Sequence, residues 1–160
     1  MRFDRRFVLS GAALVGGLAL LWTRREADAV PDGPYRLSDA EWRRRLSPQT
    51  YSVLRRGATE RAGSSPLNRE HRRGIYVCAG CALPLYSSEA KFESGTGWPS
   101  FFRPLANAVG TRADDSLFTR RTEVHCRRCG GHLGHVFNDG PRPTGLRYCM
   151  NGVALRFVPA

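Results

Sequence analysis

Five cysteines divide into a group of four and a single one. Cys78-Ala-Gly-Cys81 and Cys126-Arg-Arg-Cys129 are two C-x-x-C pairs. Each pair can aim two thiolates at one cation through a tight turn, and two such knuckles complete a tetrahedral site with no open ligand position. Such a site holds structure together rather than turning over substrate. The 44 residues between the pairs exceed a compact ribbon, so the knuckles are expected on separate β-hairpins, with Gly80 and Gly130 supplying the tight backbone. Two other chemistries use the same residues. Disulfides are favoured in an oxidising compartment, and a redox-active C-x-x-C is the third reading. Neither pair sits in a βαβ context, and the glycines favour the metal. Four thiolates suit zinc or iron alike.

Cys149 is left over. A lone cysteine is either a buried bystander or a reactive thiol, and its neighbours favour the second. In Arg147-Tyr148-Cys149-Met150-Asn151, an extended strand puts Arg147, Cys149 and Asn151 on one face, each about 6.5–7 Å from the next. A guanidinium beside a thiol favours the thiolate, and an asparagine amide can orient water or a polar substrate. Tyr148 and Met150 then point into the core.

The elements that must carry these groups are mostly short strands. Ile75–Cys78, Ser116–Cys126, Leu133–Phe137, Leu146–Asn151 and Val153–Val158 are candidates, and Asn138-Asp139-Gly140-Pro141 is a strong turn signal. Strands punctuated by Gly and Pro, without alternating helices, indicate an antiparallel β protein. Two short helices precede them. Ser38 with Glu41 makes a capping box, flanked by Leu37 and Trp42. Ser47 caps a second helix with Pro48 at its first position, Tyr51 and Leu54 on one face and Gly57 as its stop. Ala62 to Pro66 is expected as loop.

Residues 1–29 read as an export signal. Arg5-Arg6 precedes an apolar run, Phe7 to Trp22, and Ala27-Asp28-Ala29 is a small-x-small cleavage pattern. The paired arginines before Phe-Val-Leu resemble a twin-arginine signal, and the expected location is periplasmic. The run falls short of the roughly 20 residues of a spanning helix, although Arg24 and Arg25 leave an uncleaved anchor as the alternative. Residues 30–35 form a linker and 36–160 the single domain. The 160-residue chain carries a net charge of +11. Without the signal, 20 basic face 11 acidic residues, so the basicity belongs to the body. Nucleic acid or an acidic partner is one reading of that charge; a solvated basic face is the plainer one.

Four segments in this order resemble the B-type methionine sulfoxide reductases: Gly95-Thr-Gly-Trp-Pro-Ser-Phe101, the two C-x-x-C knuckles, His132-Leu-Gly-His-Val-Phe-Asn-Asp-Gly-Pro141, and Arg147-Tyr-Cys-Met-Asn151 with Leu155 and Phe157. The resemblance spans Arg36 to Val158. It implies a mainly β fold of two antiparallel sheets with short peripheral N-terminal helices, and thiol-dependent reduction of methionine-R-sulfoxide in peptides. It also implies zinc, one per chain, on Cys78, Cys81, Cys126 and Cys129. Cys149 becomes the nucleophile and Trp98 the aromatic wall for the substrate methyl group. His132 and His135 become the polar side, with His135 favoured as proton donor, and Phe137, Arg147 and Asn151 complete the site. Taken singly, Trp98, Phe101 and Phe137 could be packing residues. His132 and His135, at i and i+3, cannot share a face of a straight strand; Gly130-Gly131 and Gly134 offer turns that bring both inward.

One position departs from the family. Many members carry a resolving cysteine in the G-x-G-W-P-S-F loop, where this chain has Thr96. A Cys149 sulfenic acid would then need an external thiol, thioredoxin-like or small, to resolve it. The rival function class is a zinc-ribbon-like binding module for nucleic acid or protein, which leaves the Cys149 strand and the Trp98 loop unexplained. The expectation is no nucleic-acid partner, with membrane contact only through an uncleaved signal.

Overall fold

A computed structural model describes residues 35–115 and 120–160. The expected export signal and all but the last residue of the linker lie outside the described residues. The chain opens with helices α1 (Asp39–Arg45) and α2 (Pro48–Arg56). Strands β1 (Gly74–Cys78), β2 (Pro84–Ser87), β3 (Lys91–Phe92), β4 (Ser100–Phe101), β5 (Val109–Asp114), β6 (Arg121–Cys126), β7 (His132–Phe137), β8 (Arg147–Met150) and β9 (Leu155–Pro159) follow.

Both helices start where their caps dictate. The Ser38 side chain accepts from Glu41 N while the Glu41 carboxylate returns to Ser38 N, a complete capping box. Ser47 caps Thr50 N, Pro48 opens α2, and Gly57 closes it in the left-handed conformation, φ 68°. Helices of two turns gain little from propensity and depend on burying a face. Here Trp42, Tyr51, Val53 and Leu54 are buried, each worth about 1.5–3 kcal/mol if fully removed from water. Among the described residues no helix is long and apolar enough to cross a membrane.

Every strand pairing is antiparallel. A three-stranded sheet has the order β2-β1-β9, and a six-stranded sheet the order β3-β4-β8-β7-β6-β5. Aromatic side chains join the two: Tyr76 of β1 meets Phe101 of β4 edge-on at 4.9 Å, and Tyr86 of β2 stacks on Phe101 at 4.4 Å. Met150, fully buried, accepts a hydrogen bond at its sulfur from Tyr86 Oη. Strand β8 is therefore interior, with β4 and β7 on its two sides. That rigidity matters because β8 carries Cys149.

Several boundaries differ from the sequence expectation. The strand expected at Ser116–Cys126 is Arg121–Cys126, and 116–119 lie outside the described residues. The strand expected from Val153 starts at Leu155, because Gly152–Ala154 form a 3-10 turn. The Glu60 carboxylate accepts from Gly152 N at 2.6 Å and Val153 N at 3.0 Å, which holds that turn. The expected loop at Ala62–Pro66 runs into a 3-10 turn at Pro66–Arg69. Gly80 was expected to relax its knuckle backbone, but the left-handed residue of that turn is Ala82, φ 59°. Gly80 is small because Trp42 and Leu54 press on it: a Cβ there would meet both at 3.2 Å.

Candidate functional site

Cys149 sits near the end of β8, opposite His135 of β7 and Ser100 of β4. It helps to line a 210 Å³ pocket together with Thr59, Trp98, Arg121, Gly134, His135, Phe137 and Asn151. On the loop side, Thr96 Oγ1 lies 3.8 Å from Sγ. Gly134 has to be glycine, since a Cβ there would lie 2.1 Å from the carbonyl oxygen of Cys149.

Trp98 is fixed by donating its indole N–H to the carbonyl of Glu60 at 3.2 Å. Glu60 N in turn donates to Asn151 Oδ1 at 2.9 Å, and Asn151 Nδ2 donates to Leu133 O at 3.1 Å. Both ends of the Asn151 amide are thus engaged with backbone, and its first task here is to tie β8 to β7 and to the Glu60 segment. Glu60, 5 % exposed, connects the aromatic wall, Asn151 and the turn after β8 through one residue. It belongs to none of the segments that the sequence made conspicuous.

Arg147 makes a two-pronged ion pair with Asp139, both contacts 2.9 Å, and its guanidinium lies 4.4 Å over the Phe137 ring. The hydrogen bond to Asp139 raises Arg147 above its usual range, and the charge of Cys149 adds to this. A fixed cation thus stands in the electrostatic reach of the sulfur. Asp139 responds oppositely, held below the usual carboxylate range by Arg147.

The two histidines do come inward together. Between β6 and β7 the register shifts: Val124 faces Gly134, but His125 faces His132. The extra residue on β7 is a bulge. It converts an i, i+3 pair into neighbours on one face, their ring centroids 5.4 Å apart. His135 lines the pocket, whereas His132 stands behind it, 3 % exposed. His132 Nδ1 lies 2.7 Å from Glu123 Oε1, and His135 Nε2 lies 2.7 Å from Asp114 Oδ2. Burial pushes His135 below its ordinary value, with Asp114 acting in the other direction. Burial would also raise Glu123, but His132 and Arg112 outweigh it and hold the carboxyl below its usual range. The sequence reading missed Thr59, Glu60, Asp114, Arg121 and Glu123.

The other four cysteines gather elsewhere. Their knuckles are built alike: Cys78 N donates to Leu83 O and Ala82 N to Cys78 O, while Cys126 N donates to Gly131 O and Gly130 N to Cys126 O. The sulfurs pair across the knuckles, Cys78 to Cys129 at 3.7 Å and Cys81 to Cys126 at 3.5 Å, and all four lie within 4.8 Å of one another. A tetrahedron with metal–sulfur bonds of about 2.3 Å has edges near 3.8 Å, so the cluster is compatible with zinc. A disulfide would need about 2.05 Å, and all five cysteines are free. Leu54 of α2 packs against both turns, which the small residues Gly80 and Gly131 permit.

A closed thiol cluster on one side and a solitary sulfur in a pocket on the other define the class: an antiparallel β protein with four gathered cysteines and one held apart in a cavity. The SelR domain model matches residues 46–159, and the chain belongs to that family, the MsrB family. Among its relatives is the "Peptide methionine sulfoxide reductase MsrB" of Leptospira interrogans, 51 % identical over 121 residues, 75 % of this chain and 92 % of that protein. The protein of the same name from Bradyrhizobium diazoefficiens is 55 % identical over 123 residues, 76 % of this chain and 88 % of that one. That from Methanosarcina barkeri is 52 % identical over 121 residues, 75 % and 85 % respectively.

Proposed function

We propose that this protein is an oxidoreductase that reduces the R epimer of methionine sulfoxide in peptides and proteins to methionine, and so repairs oxidised proteins. The observation that carries this reading is the shared pocket: Cys149, Trp98, His135 and Phe137 line one 210 Å³ cavity, in a chain about half identical to proteins named as methionine sulfoxide reductases.

The Cys149 thiolate attacks the electrophilic sulfoxide sulfur while an acid protonates the sulfoxide oxygen. Histidine is suited to that task near neutral pH, and His135 is the one on the pocket wall. Oxygen passes to Cys149, leaving methionine and a sulfenic acid. Trp98 offers an apolar face to the substrate methyl group, and the Arg147 guanidinium stands close to the sulfur. Thr96 stands where a resolving thiol would be needed. An external thiol therefore condenses with the sulfenic acid, releasing water, and a second thiol frees Cys149 as a disulfide of the donor leaves. The donor is a thioredoxin-like protein or a small thiol.

Cys78, Cys81, Cys126 and Cys129 would hold one zinc ion. When bound, it supplies no chemistry to the substrate and clips two hairpins together. The twin-arginine-like segment at 1–29 supports export to the periplasm, tested by the mass and N-terminus of the chain recovered from that fraction; a full-length cytoplasmic chain would count against export.

The activity is tested with a peptide containing both sulfoxide epimers and a dithiol, comparing the parent with Cys149→Ser. The reading expects consumption of the R form alone, abolished in the variant. Equal rates for the two proteins, or consumption of the S form, would refute it.

A further inference from the structure

Strands β5 and β6 carry two cross-strand ion pairs whose carboxylates both end on imidazoles of β7. Arg112 and Asp114 lie on β5, opposite Glu123 and Arg121 of β6. Arg121 holds Asp114 Oδ2 at 2.6 Å, and Asp114 meets His135 Nε2. Arg112 pairs with Glu123, which meets His132 Nδ1. Each histidine is thus backed by a carboxylate, and each carboxylate by an arginine from the neighbouring strand.

We propose that Asp114, with Arg121 behind it, is a positioning pair that fixes the tautomer and the charge of His135. This rests on the reading of His135 as the proton donor. An ionised carboxylate only accepts hydrogen bonds. The neutral ring therefore keeps its hydrogen on Nε2, donated to Asp114. Nδ1 is then the nitrogen that takes up and releases the catalytic proton. The ring acts as an acid by passing the Nδ1 proton to the sulfoxide oxygen. It returns to the Nε2–H form, its remaining proton still held by Asp114, and regains the Nδ1 proton from solvent. Asp114 never leaves its ion pair with Arg121 and gives up no proton itself.

Among the described residues, the charged and titratable groups placed around His135 come from three strands besides its own. They are Asp114 from β5, Arg121 and its own register partner Glu123 from β6, His132 beside it on β7, and Cys149 opposite on β8. Asp114 favours the charged ring and Arg121 opposes it. The two members of the pair therefore act with opposite sign, which separates electrostatic positioning from mere support of the hairpin.

His135 must be protonated to act as the acid. Activity is lost as pH rises through the pKa of His135. Asp114→Asn removes the favouring charge, so the alkaline limb of kcat moves to lower pH. Arg121→Gln removes the opposing charge, so the limb moves to higher pH. Asp114→Glu keeps the charge and restores the limb toward the parent. At neutral pH, Asp114→Asn should lower kcat by about 10–100-fold, less than the roughly 10²–10⁴-fold that a whole acid–base group contributes, because the imidazole itself remains.

The test uses the full chain with its metal. Nitrogen-15 spectra of the His135 ring report the tautomer without any turnover, and pH profiles with a methionine-R-sulfoxide peptide report the limb. The expected result is an Nε2–H ring in the parent, a mixed tautomer in Asp114→Asn, and limbs displaced in opposite directions by Asp114→Asn and Arg121→Gln. Unchanged tautomers, or limbs that coincide with the parent or shift in the same direction, would overturn the proposal. If Asp114→Asn fails to fold, the Arg121→Gln shift and the Asp114→Glu spectrum decide it. A parent inactive on the R-sulfoxide but showing these tautomers would instead sink the activity reading and leave the positioning intact.

Discussion

Cys126 and Cys149 belong to the same six-stranded sheet, two strands apart, yet their sulfurs have opposite surroundings. Cys126 faces three other sulfurs across two mirror-like turns, with Leu54 packed against the knuckles. Cys149 faces an aromatic wall, an imidazole and open space. The contrast teaches that residue type does not set the role of a thiol. Four sulfurs that converge within 4.8 Å of one another form a set that could fill the coordination shell of one cation and leave no position for substrate. One sulfur at the edge of a cavity, with the Thr96 hydroxyl 3.8 Å away, still presents a face to whatever enters the pocket.

The sharpest way to break that contrast is to remove one sulfur from each region. Cys149→Ser should abolish reductase activity, on the order of 10⁴-fold or more as for other covalent nucleophiles, with the melting temperature of the parent. Cys126→Ser should do the reverse in kind. Metal binding is folding energy in such sites, so its melting temperature should fall by at least about 10 °C, and chelation of the parent should match it. A Cys126→Ser protein as stable as the parent would show that the cluster clips nothing.

Glu60 offers a second, smaller test because it connects the pocket to the backbone without touching Cys149. Glu60→Gln keeps the shape but turns an amide N–H₂ toward Gly152 N or Val153 N. Leaving one buried donor unsatisfied costs about 1–3 kcal/mol, read by denaturant unfolding. Because Trp98 and Asn151 hang from the same residue, kcat/KM should fall as well. A stability loss with untouched kinetics would detach Glu60 from the site. Trp98→Ala should act more narrowly, raising KM about 10-fold by removing an apolar wall and leaving the melting temperature near that of the parent. The mildest change is Thr96→Cys. It places a thiol beside Cys149, so the product after one turnover should become an intramolecular disulfide while the first-turnover rate stays near the parent value. Absence of that disulfide would mean the loop does not bring the two sulfurs close enough.

How much of this was legible in the sequence varies by element. The caps of α1 and α2 were readable because Ser38, Glu41, Ser47, Pro48 and Gly57 act locally. The pocket residues Cys149, Trp98, His135 and Phe137 were readable as a set because they sit in segments dense with Gly, Pro and aromatic residues that resemble a family. Strands β3 and β4 have two residues each, too few for any periodicity. Strand β5, at the sheet edge, carries no apolar alternation. The bulge that aligns His132 with His135 depends on pairing with β6, which no local pattern encodes. Glu60, Asp114 and Arg121 were invisible for the same reason: their partners lie 92, 21 and 7 residues away in sequence, and only the fold brings them together.

Cys149 alone is expected to do the chemistry, with none of the other four cysteines joining it. Mass spectrometry after a single turnover without reductant, in the presence of a sulfenic-acid trapping reagent, tests this directly. The predicted product carries one trapped oxidation on Cys149, with Cys78, Cys81, Cys126 and Cys129 unmodified and unbridged. A disulfide linking Cys149 to any of those four, or oxidation of the cluster with Cys149 intact, would contradict it.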